Sequence, residues 1–232
     1  MSGTGETDFD EYASDYDAAL ARGVSVSGED KDYFAQGRVA WLGRRLAELG
    51  RRPGAVLDFG CGTGSAAPFL MRMPGIDSLV GVDVSARSVE RARQMHAATG
   101  ARFLLTSEHR PEGTIDLAFC NGVFHHIPPP ARASAVDYIA RAVRPGGFFA
   151  FWENNPWNPG ARYVMSRIPF DRDAIMIAAP EARQLLRAAG FDVVTTDFQF
   201  LFPRMLKVFR GLEPLAAGLP LGAQYQVLGR RR

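Results

Sequence analysis

The sequence is poor in cysteine and lysine, and it contains no long apolar run. Only Cys61 and Cys120 occur among its 232 residues, which excludes a small scaffold held together by disulfides. No stretch approaches the roughly 18 uninterrupted apolar residues of a membrane-spanning helix. The formal net charge of +2 is too small to indicate a nucleic acid or an anionic membrane as partner. With 47% hydrophobic residues, these absences are typical of a globular protein with a core of its own.

The amino-terminal residues, MSGTGETDFDEY, are acidic, unlike those of a secretory signal or a transit peptide. We therefore expect a cytoplasmic protein with both thiols reduced. Among the 27 basic residues, only Lys31 and Lys207 are lysines. The excess of arginine has two explanations, which are recognition of anions by the guanidinium group and codon usage in a GC-rich genome.

The pattern of residues 1–52 predicts two helices that form a cap. Apolar residues of the first helix recur every three or four positions, at Phe9, Tyr12, Tyr16 and Leu20. The second helix is predicted to open at a capping box, Ser27-Gly-Glu-Asp30, and to end at Gly50. Tyr12 and Tyr16 lie one helical turn apart on this helix, so they can pack against each other.

After residue 54 the sequence alternates between short apolar strands and helices. Seven strands are predicted, at Ala55–Phe59, Leu79–Val82, Arg102–Leu105, Ile115–Cys120, Phe148–Trp152, Phe191–Phe198 and Gln224–Leu228. Helices are predicted at Ser65–Arg72, Ser85–Ala98, Ala131–Val143 and Pro180–Ala189, with an apolar helical insertion at Leu201–Gly222. Because strands that alternate with helices form βαβ units, we expect an α/β fold with a mostly parallel sheet.

A glycine-rich turn follows the first strand, in the sequence VLDFGCGTG of residues 56–64. Such a turn lets the backbone approach a ligand closely and directs helix N–H groups towards it. An acid, Asp58, precedes the glycines, and their spacing G-x-G-x-G differs from the dinucleotide fingerprint G-x-G-x-x-G. A second acid, Asp83, ends the next strand, where a carboxylate can accept hydrogen bonds from two ribose hydroxyls.

These residues resemble the motifs of class I S-adenosylmethionine-dependent methyltransferases, and the resemblance extends from Phe9 to Leu228. VLDFGCGTG resembles the first motif, GVDVS (81–85) the second, and NGVFHHI (121–127) the segment after the fourth strand. RAVRPGGFFAFWE (141–153) resembles the helix, turn and fifth strand that follow. The resemblance implies a Rossmann-like three-layer sandwich, with a seven-stranded, mostly parallel sheet, one antiparallel strand and a helical N-terminal cap.

The resemblance also implies S-adenosyl-L-methionine as the cofactor and assigns roles to the motif residues. The turn formed by Gly60, Cys61 and Gly62 is expected to line the methionine moiety. Asp58 is expected to reach the amino end of that moiety, directly or through water. Asp83 is expected to hold both ribose hydroxyls, and Val84 to pack on the adenine.

Three other positions are expected to contact the cofactor. Asn121 ends the fourth strand, where the family places a contact to the cofactor, and Tyr16 belongs to the helix expected to close over it. The sequence lacks the family's frequent Asp after the third strand, so Ser107 or Glu108 must contact the adenine amino group.

Two histidines and a glutamate follow adjacent strands, at the edge of an open α/β sheet that faces the ligand. His125 and His126 come after the fourth strand, and Glu153 ends the fifth. If the acceptor is a hydroxyl, we expect neutral His126 or His125 to take its proton while Glu153 orients the ring or the substrate. The alternative is a structural pair, in which one histidine caps the turn before Pro128 and catalysis rests on proximity and orientation.

The residues after the fifth strand suggest an acceptor site. Asn154 and Asn155 form a polar cluster at the end of that strand. Aromatic and apolar residues follow at Trp157, Tyr163, Met165 and Phe170. This second group forms either a lid that excludes water or packing against the 201–222 insertion. The sequence has no Cys/His metal spacing and no RNA-binding module, so we expect neither a metal ion nor a nucleic-acid substrate.

The sequence thus predicts a single methyltransferase domain over residues 1–232. Its parts are a cap at 1–52, a cofactor-binding core at 53–153, and a substrate-side lid with the C-terminal strands at 154–232. The expected reaction is methyl transfer to an O, N or C nucleophile of a small-molecule acceptor, in bacterial secondary or sugar metabolism. One alternative is a non-methylating reaction on the same fold, such as a cyclisation. The glycine spacing and Asp58 argue against a second alternative, a nicotinamide oxidoreductase. No oligomeric state and no membrane partner are predicted.

Overall fold

The computed structural model describes residues 27–168, Asp171 and residues 174–232. The first predicted helix, with Tyr12 and Tyr16, lies outside these residues, and so does Phe170. Within the described ranges, no helix combines the length and the apolar character needed to cross a membrane.

Strands and helices alternate along the described chain. The strands are β1 (Ala55–Phe59), β2 (Ser78–Asp83), β3 (Arg102–Leu105), β4 (Ile115–Asn121), β5 (Val143–Asn154), β6 (Phe191–Gln199) and β7 (Gln224–Arg231). The α-helices are α1 (Lys31–Glu48), α2 (Ala67–Leu70), α3 (Ala86–His96), α4 (Pro129–Ala142), α5 (Pro159–Ser166), α6 (Ala179–Ala188) and α7 (Glu213–Ala216). Short 3₁₀ helices cover Ala97–Thr99 and Arg204–Leu212.

The seven strands form one sheet in the order β3-β2-β1-β4-β5-β7-β6. The pairs among β1 to β5 are parallel, whereas β7 runs antiparallel to both of its neighbours, β5 and β6. This arrangement confirms the predicted Rossmann-like α/β fold with one antiparallel strand. The chain order reverses between β1 and β4, and ligands bind such sheets at the carboxyl ends of the strands beside that reversal.

The core lies on both faces of the sheet, because the central strands are apolar on both sides. β5 shows this alternation clearly: Phe151 packs in the core layer that contains α4 and α6, and Trp152 in the layer that contains α1 and α2. Both side chains are fully buried. The two layers hold the parallel strands rigidly, so that the residues after their carboxyl ends have fixed positions.

Helix caps follow local side-chain chemistry. Ser85 caps α3 as its position suggests, by accepting the N–H of Ser88 at 3.1 Å. The capping box predicted before α1 is shifted by three residues. Asp30, rather than Ser27, accepts the N–H of Tyr33 at 2.8 Å, because an aspartate caps as well as a serine and lies next to the helix.

Several segments depart from the predicted elements. The helix predicted at Ser65–Arg72 covers only Ala67–Leu70, and the helix Pro159–Ser166 was not predicted. β5 begins at Val143 rather than Phe148, because Pro145-Gly-Gly continues the strand through an irregularity opposite Ile115 and Leu117. Residues 201–222 contain a 3₁₀ helix and the short α7 rather than one long helix. Proline and glycine recur in this segment and interrupt the α-helical hydrogen bonds.

Candidate functional site

The turn after β1 is shaped by glycines with positive φ, at Gly60 (70°), Gly62 (52°) and Gly64 (80°). A Cβ atom added to Gly60 would overlap Val123, whereas one added to Gly62 would meet no atom within 4 Å. The backbone at Gly62 therefore borders open space that a ligand can occupy. Burial raises the pKa of the Cys61 thiol well above its usual value, so this side chain serves as an apolar wall.

Two acids stand beside this turn, as predicted. Asp83 accepts the N–H groups of Gly62 at 2.8 Å and Ser85 at 2.9 Å, so its carboxylate has a fixed position at the end of β2. Asp58 is buried at the end of β1. Burial raises the pKa of Asp58 to about 7. The negative charge of Asp83 also raises this pKa, whereas the positive charge of Arg38 lowers it. A positively charged ligand group placed here would restore the ionised form of Asp58.

Arg38 is a site residue that the sequence analysis missed. It lies on α1 with an exposed fraction of 7%, and it donates to Oε1 of Gln224 at 2.9 Å. The sequence does contain a pattern that marks Arg38. This residue lies one helical turn from Phe34 and from Leu42, on a helix face that is otherwise apolar. A cation on such a face is either paired in the core or held for a ligand.

The remaining predicted cofactor residues are distributed along the same edge. Val84 follows β2 with 51% of its surface exposed, and Asn121 lines a cavity at the end of β4. Oε2 of Glu108 accepts the backbone N–H of Leu105 at 2.9 Å and lies 3.7 Å from Nη2 of Arg93. Glu108 therefore stabilises the turn after β3. Ser107 is exposed in that turn. The adenine contact of Ser107 or Glu108 stays a prediction, and Tyr16 falls outside the described residues.

A cavity of about 400 Å³ opens next to Asn121 and Gly122. One part of its wall is polar, with His125, His126, Asn154 and Asp171. Another part is apolar or aromatic, with Phe34, Tyr163, Val164, Met165, Ile168 and Phe200. The cavity therefore suits an acceptor with an apolar body and a polar reacting group.

The predicted polar and aromatic residues after β5 have separate places in the structure. Asn154 lines the cavity, but Asn155 is buried and donates to the carbonyl oxygens of Pro220 and Gly222, which anchors the segment before β7. Tyr163 and Met165 border the cavity, whereas Trp157 stacks on Phe198 with ring centroids 6.5 Å apart. The aromatic stretch therefore contributes to both the cavity wall and the packing.

Four ionisable side chains, Glu153, His125, Asp171 and His126, form a continuous network, which we call the tetrad. Nδ1 of His125 lies 2.7 Å from Oε2 of Glu153, and Nε2 of His125 lies 3.3 Å from Oδ1 of Asp171. Nε2 of His126 lies 3.3 Å from the same Asp171 oxygen. Glu153 also accepts the backbone N–H groups of Phe124 at 2.7 Å and His125 at 3.3 Å. The end of β5 thus holds the loop after β4.

The two histidines differ in their surroundings. Burial alone lowers the pKa of His125, but Glu153 and Asp171 outweigh this effect and raise it to about 10. His125 is therefore an imidazolium at neutral pH and cannot act as a base there. Burial opposes ionisation of Asp171, yet hydrogen bonds from both histidines hold its pKa below the usual value. The His126 side chain keeps 15% of its surface exposed and lines the cavity.

Asp171 is the second residue that the sequence analysis missed. It contacts a histidine 46 positions earlier in the chain, and no local pattern marks such a contact. Side-chain donor atoms of His125, His126 and Asp171 lie within 4.8 Å of one another, which is close enough for a shared metal ion. We interpret the group as an ion-pair network, because both nitrogens of His125 already face carboxylate oxygens.

Comparisons with known proteins identify the family of this chain. Residues 32–196 match the methyltransferase domain family. A ubiquinone biosynthesis O-methyltransferase of Paracidovorax citrulli is 31% identical over 176 residues, covering 68% of this chain and 71% of that protein. A trans-aconitate 2-methyltransferase of an Azoarcus species is 28% identical over 136 residues, covering 59% and 53% of the two chains.

The fold is also similar to solved structures. The crystal structure of an S-adenosylmethionine-dependent methyltransferase from Thermotoga maritima superposes with a TM-score of 0.67, covering 98% of this chain and 99% of that one. Its sequence identity is 21%, so this likeness speaks for the fold alone. The family match and the curated relative go further: the chain belongs to the class I methyltransferases and is an enzyme that uses S-adenosylmethionine.

Proposed function

We propose that this enzyme methylates a hydroxyl or an amine of a small-molecule acceptor. The observation that carries the proposal is the cavity of about 400 Å³, which adjoins the cofactor edge at Asn121 and is bordered by His126. Cavities of roughly 300–1,000 Å³ are typical of small-molecule sites. A nucleophile bound near His126 would face the cofactor side of the same cavity, and such alignment supplies much of the catalysis of a displacement reaction.

The residues of the cofactor edge fit S-adenosylmethionine. Gly62 borders open space, Asp83 presents a fixed carboxylate for the ribose hydroxyls, and exposed Val84 offers an apolar surface for adenine. We assign the cofactor's ammonium group to the carboxylate of Asp58, and the cofactor's carboxylate to the guanidinium group of Arg38. Both side chains are buried, and the charge of Arg38 lowers the pKa of Asp58, so the two opposite charges belong to one site. Gly60 and Cys61 complete the wall behind the methionine moiety.

When bound, S-adenosylmethionine supplies an electrophilic methyl group on a sulfonium sulfur. The chain's own part is to orient the acceptor and to receive the proton that its nucleophile loses. We assign the proton to His126, which borders the cavity, rather than to His125, which is already an imidazolium. Glu153 and His125 are assigned as positioning residues, because Glu153 holds His125 and the loop after β4, and His125 contacts Asp171.

The charge of the tetrad supports a nucleophile that arrives carrying a proton. Glu153 faces four N–H groups, from the backbones of Phe124, His125 and Asn154 and from the His125 ring, which is the bonding pattern of a carboxylate. Asp171 is the second carboxylate. Counted with His125 as an imidazolium and His126 as the free base that the proposal requires, the tetrad has a net charge of −1. A hydroxyl or an amine can give such a site a proton, whereas an acceptor carboxylate is already ionised at neutral pH and has none to give.

The finer assignments rest on a relative and on the sequence. The relative named for ubiquinone biosynthesis is an O-methyltransferase, which favours oxygen over nitrogen as the methylated atom. A role in bacterial secondary or sugar metabolism, a cytoplasmic location and the division of the chain at residues 52 and 153 stay predictions.

The experiment is a search for the labelled product. Wild-type protein is incubated with S-adenosylmethionine that carries a ¹³C methyl group and with a metabolite fraction freed of protein and nucleic acid. We expect a labelled small molecule in mass spectrometry and an equal amount of S-adenosylhomocysteine. The Asp83→Asn variant is the matched control, because its cofactor site is impaired. In a parallel reaction with an unfractionated extract, label that enters only protein or nucleic acid would contradict the proposal.

A further inference from the structure

Asp171 is placed to control the proton positions of both histidines. Its Oδ1 atom lies 3.3 Å from Nε2 of His125 and 3.3 Å from Nε2 of His126. The residue is 8% exposed, and it borders the cavity together with both histidines. An ionised carboxylate only accepts hydrogen bonds, so each nitrogen that faces it must present an N–H group.

This requirement fixes the tautomer of neutral His126. A neutral imidazole has one N–H and one lone pair, and the nitrogen that faces a carboxylate keeps the hydrogen. Nε2 of His126 faces Asp171, so the lone pair lies on Nδ1. His125 cannot substitute for it, because carboxylate oxygens face both of its nitrogens.

We propose that Asp171 is a positioning residue that holds His126 as the Nε2–H tautomer, and that Nδ1 of His126 is the atom that takes the acceptor's proton. The inference rests on the proposed function. In the step, the acceptor's O–H or N–H bond breaks and the Nδ1–H bond forms. The electron pair left on the acceptor atom makes the bond to the methyl carbon, and the electron pair of the broken sulfur–carbon bond returns to sulfur.

The tetrad also stabilises the product of this transfer. A protonated His126 brings the net charge of the tetrad from −1 to zero, and its positive charge lies beside Asp171. Glu153 holds His125 at 2.7 Å, so the imidazolium that shares Asp171 cannot turn away. The network thus resembles an acid–histidine pair in which the carboxylate orients the ring and stabilises its charged form.

The first test requires no acceptor. The full-length protein, labelled with ¹⁵N at its histidines and saturated with S-adenosylhomocysteine, is studied by long-range ¹H–¹⁵N NMR. The signals of His126 are assigned by their loss in His126→Gln. We expect a proton on Nε2 and a bare Nδ1 for His126, and two protonated nitrogens for His125. A bare Nε2 on His126 in the wild type would overturn the inference.

Substitutions of Asp171 then separate positioning from mere packing. In Asp171→Asn the amide can donate to Nε2, so the His126 tautomer should lose its preference, while Asp171→Glu should keep it. Asp197→Asn is the matched control, because Asp197 is a buried carboxylate that binds Arg45 and Trp41 instead. A tautomer that is the same in Asp171→Asn as in the wild type would contradict the inference.

Kinetics connect the tautomer to the reaction. With the acceptor from the labelling experiment, kcat of Asp171→Asn should fall by about 10²–10⁴-fold with an unchanged KM for the cofactor, and Asp171→Glu should recover part of it. If the expected tautomer is found but His126→Gln keeps its kcat, His126 is not the base. The assignment of the acceptor's proton to His126 in the proposed function is then wrong. If the tautomer is reversed, only the role of Asp171 is lost.

Discussion

The site has two proposed parts that are built differently. The cofactor edge is the part around Gly62 and Asp83, and the acceptor wall is the part of the cavity around His126 and Asp171. Most of the cofactor edge comes from residues 58–84, with Arg38 added from α1 and Asn121 from β4, and much of its chemistry belongs to glycine backbone at Gly60 and Gly62. The acceptor wall is made of side chains from positions far apart in the chain, such as His126 and Asp171, which meet because the strands end at one edge. The contrast teaches that a cofactor shared by a family is bound by a local motif, whereas proton chemistry depends on tertiary contacts. Substitutions should therefore divide into losses of cofactor binding and losses of turnover or stability.

Replacing His126 by Gln should give the largest effect. The variant loses the proton acceptor, and a general base contributes about 10²–10⁴-fold to the rate. We expect kcat to fall by that factor, the acidic limb of the pH–rate profile to disappear, and S-adenosylhomocysteine affinity to remain unchanged in calorimetry. His109→Gln, a histidine that contacts Tyr138 outside the site, is the control. Near-normal turnover in His126→Gln would mean that alignment alone carries the reaction.

Replacing His125 by Gln should chiefly reduce stability. The variant leaves Glu153 and Asp171 buried without their shared cation, and breaking a buried ion pair costs about 3–5 kcal/mol. Since folding raises the pKa of His125 from 6.5 to about 10, its contribution is complete below pH 6.5 and is lost as the pH rises through about 10. Urea unfolding should show a gap between variant and wild type that narrows on the alkaline side. A constant gap would argue against an imidazolium at His125.

Asp83→Asn tests the cofactor edge alone. Hydrogen bonds to a charged acceptor contribute roughly 1.5–3 kcal/mol each, so loss of two ribose contacts should raise the cofactor Kd by about 100-fold or more. Calorimetry with S-adenosylhomocysteine measures the change. Asp192→Asn, at an exposed acid, should bind as the wild type does. Unchanged affinity in Asp83→Asn would remove the ribose assignment.

Cofactor affinity should also depend on pH through Asp58. This acid has a pKa of about 7 and is protonated on the acidic side, where it cannot pair with the ammonium group of the cofactor. The Kd of S-adenosylmethionine should therefore rise by up to about tenfold for each pH unit below neutrality. The dependence should flatten in Asp58→Asn. Equal pH profiles for the two proteins would show that another group binds the ammonium.

Metal removal should have the smallest effect. The ion-pair interpretation of the tetrad predicts that EDTA leaves kcat and thermal stability unchanged, because protons rather than a metal ion join the carboxylates and imidazoles. The assay is turnover and melting temperature before and after dialysis. Loss of activity that zinc restores would instead identify His125, His126 and Asp171 as metal ligands.

Much of the fold could be predicted because it depends on local patterns. Apolar runs bounded by glycine and proline located the strands, and β1 and β3 have the predicted bounds. The limits of β5 could not be found in this way, because the Pro145-Gly-Gly sequence is typical of a turn until pairing with β4 extends it. Helical structure in the 201–222 segment was overestimated, since apolar spacing does not reveal how often proline interrupts it.

The site divides in the same way. Gly62 and Asp83 could be predicted because they lie in a motif, and the structure places them together through a hydrogen bond. The pairing of Glu153 with His125 follows from neighbouring strand ends, and the sequence analysis expected it in outline. Arg38 and Asp171 were missed because their roles depend on contacts with residues far away in the chain, Gln224 for Arg38 and the two histidines for Asp171, which no spacing encodes.

The position of β7 has a consequence for the order of folding. β6 is synthesised before β7, and β7 is the strand beside it in the described sheet, so β6 has no strand partner until the later strand is in place. β5 likewise exposes one edge until β7 closes it. The cofactor-binding half can therefore form while β5 and β6 in the nascent chain still have unpaired edges. Unpaired strand edges favour aggregation. Slow translation or a chaperone that shields β5 and β6 should raise the yield of native protein more than added cofactor does.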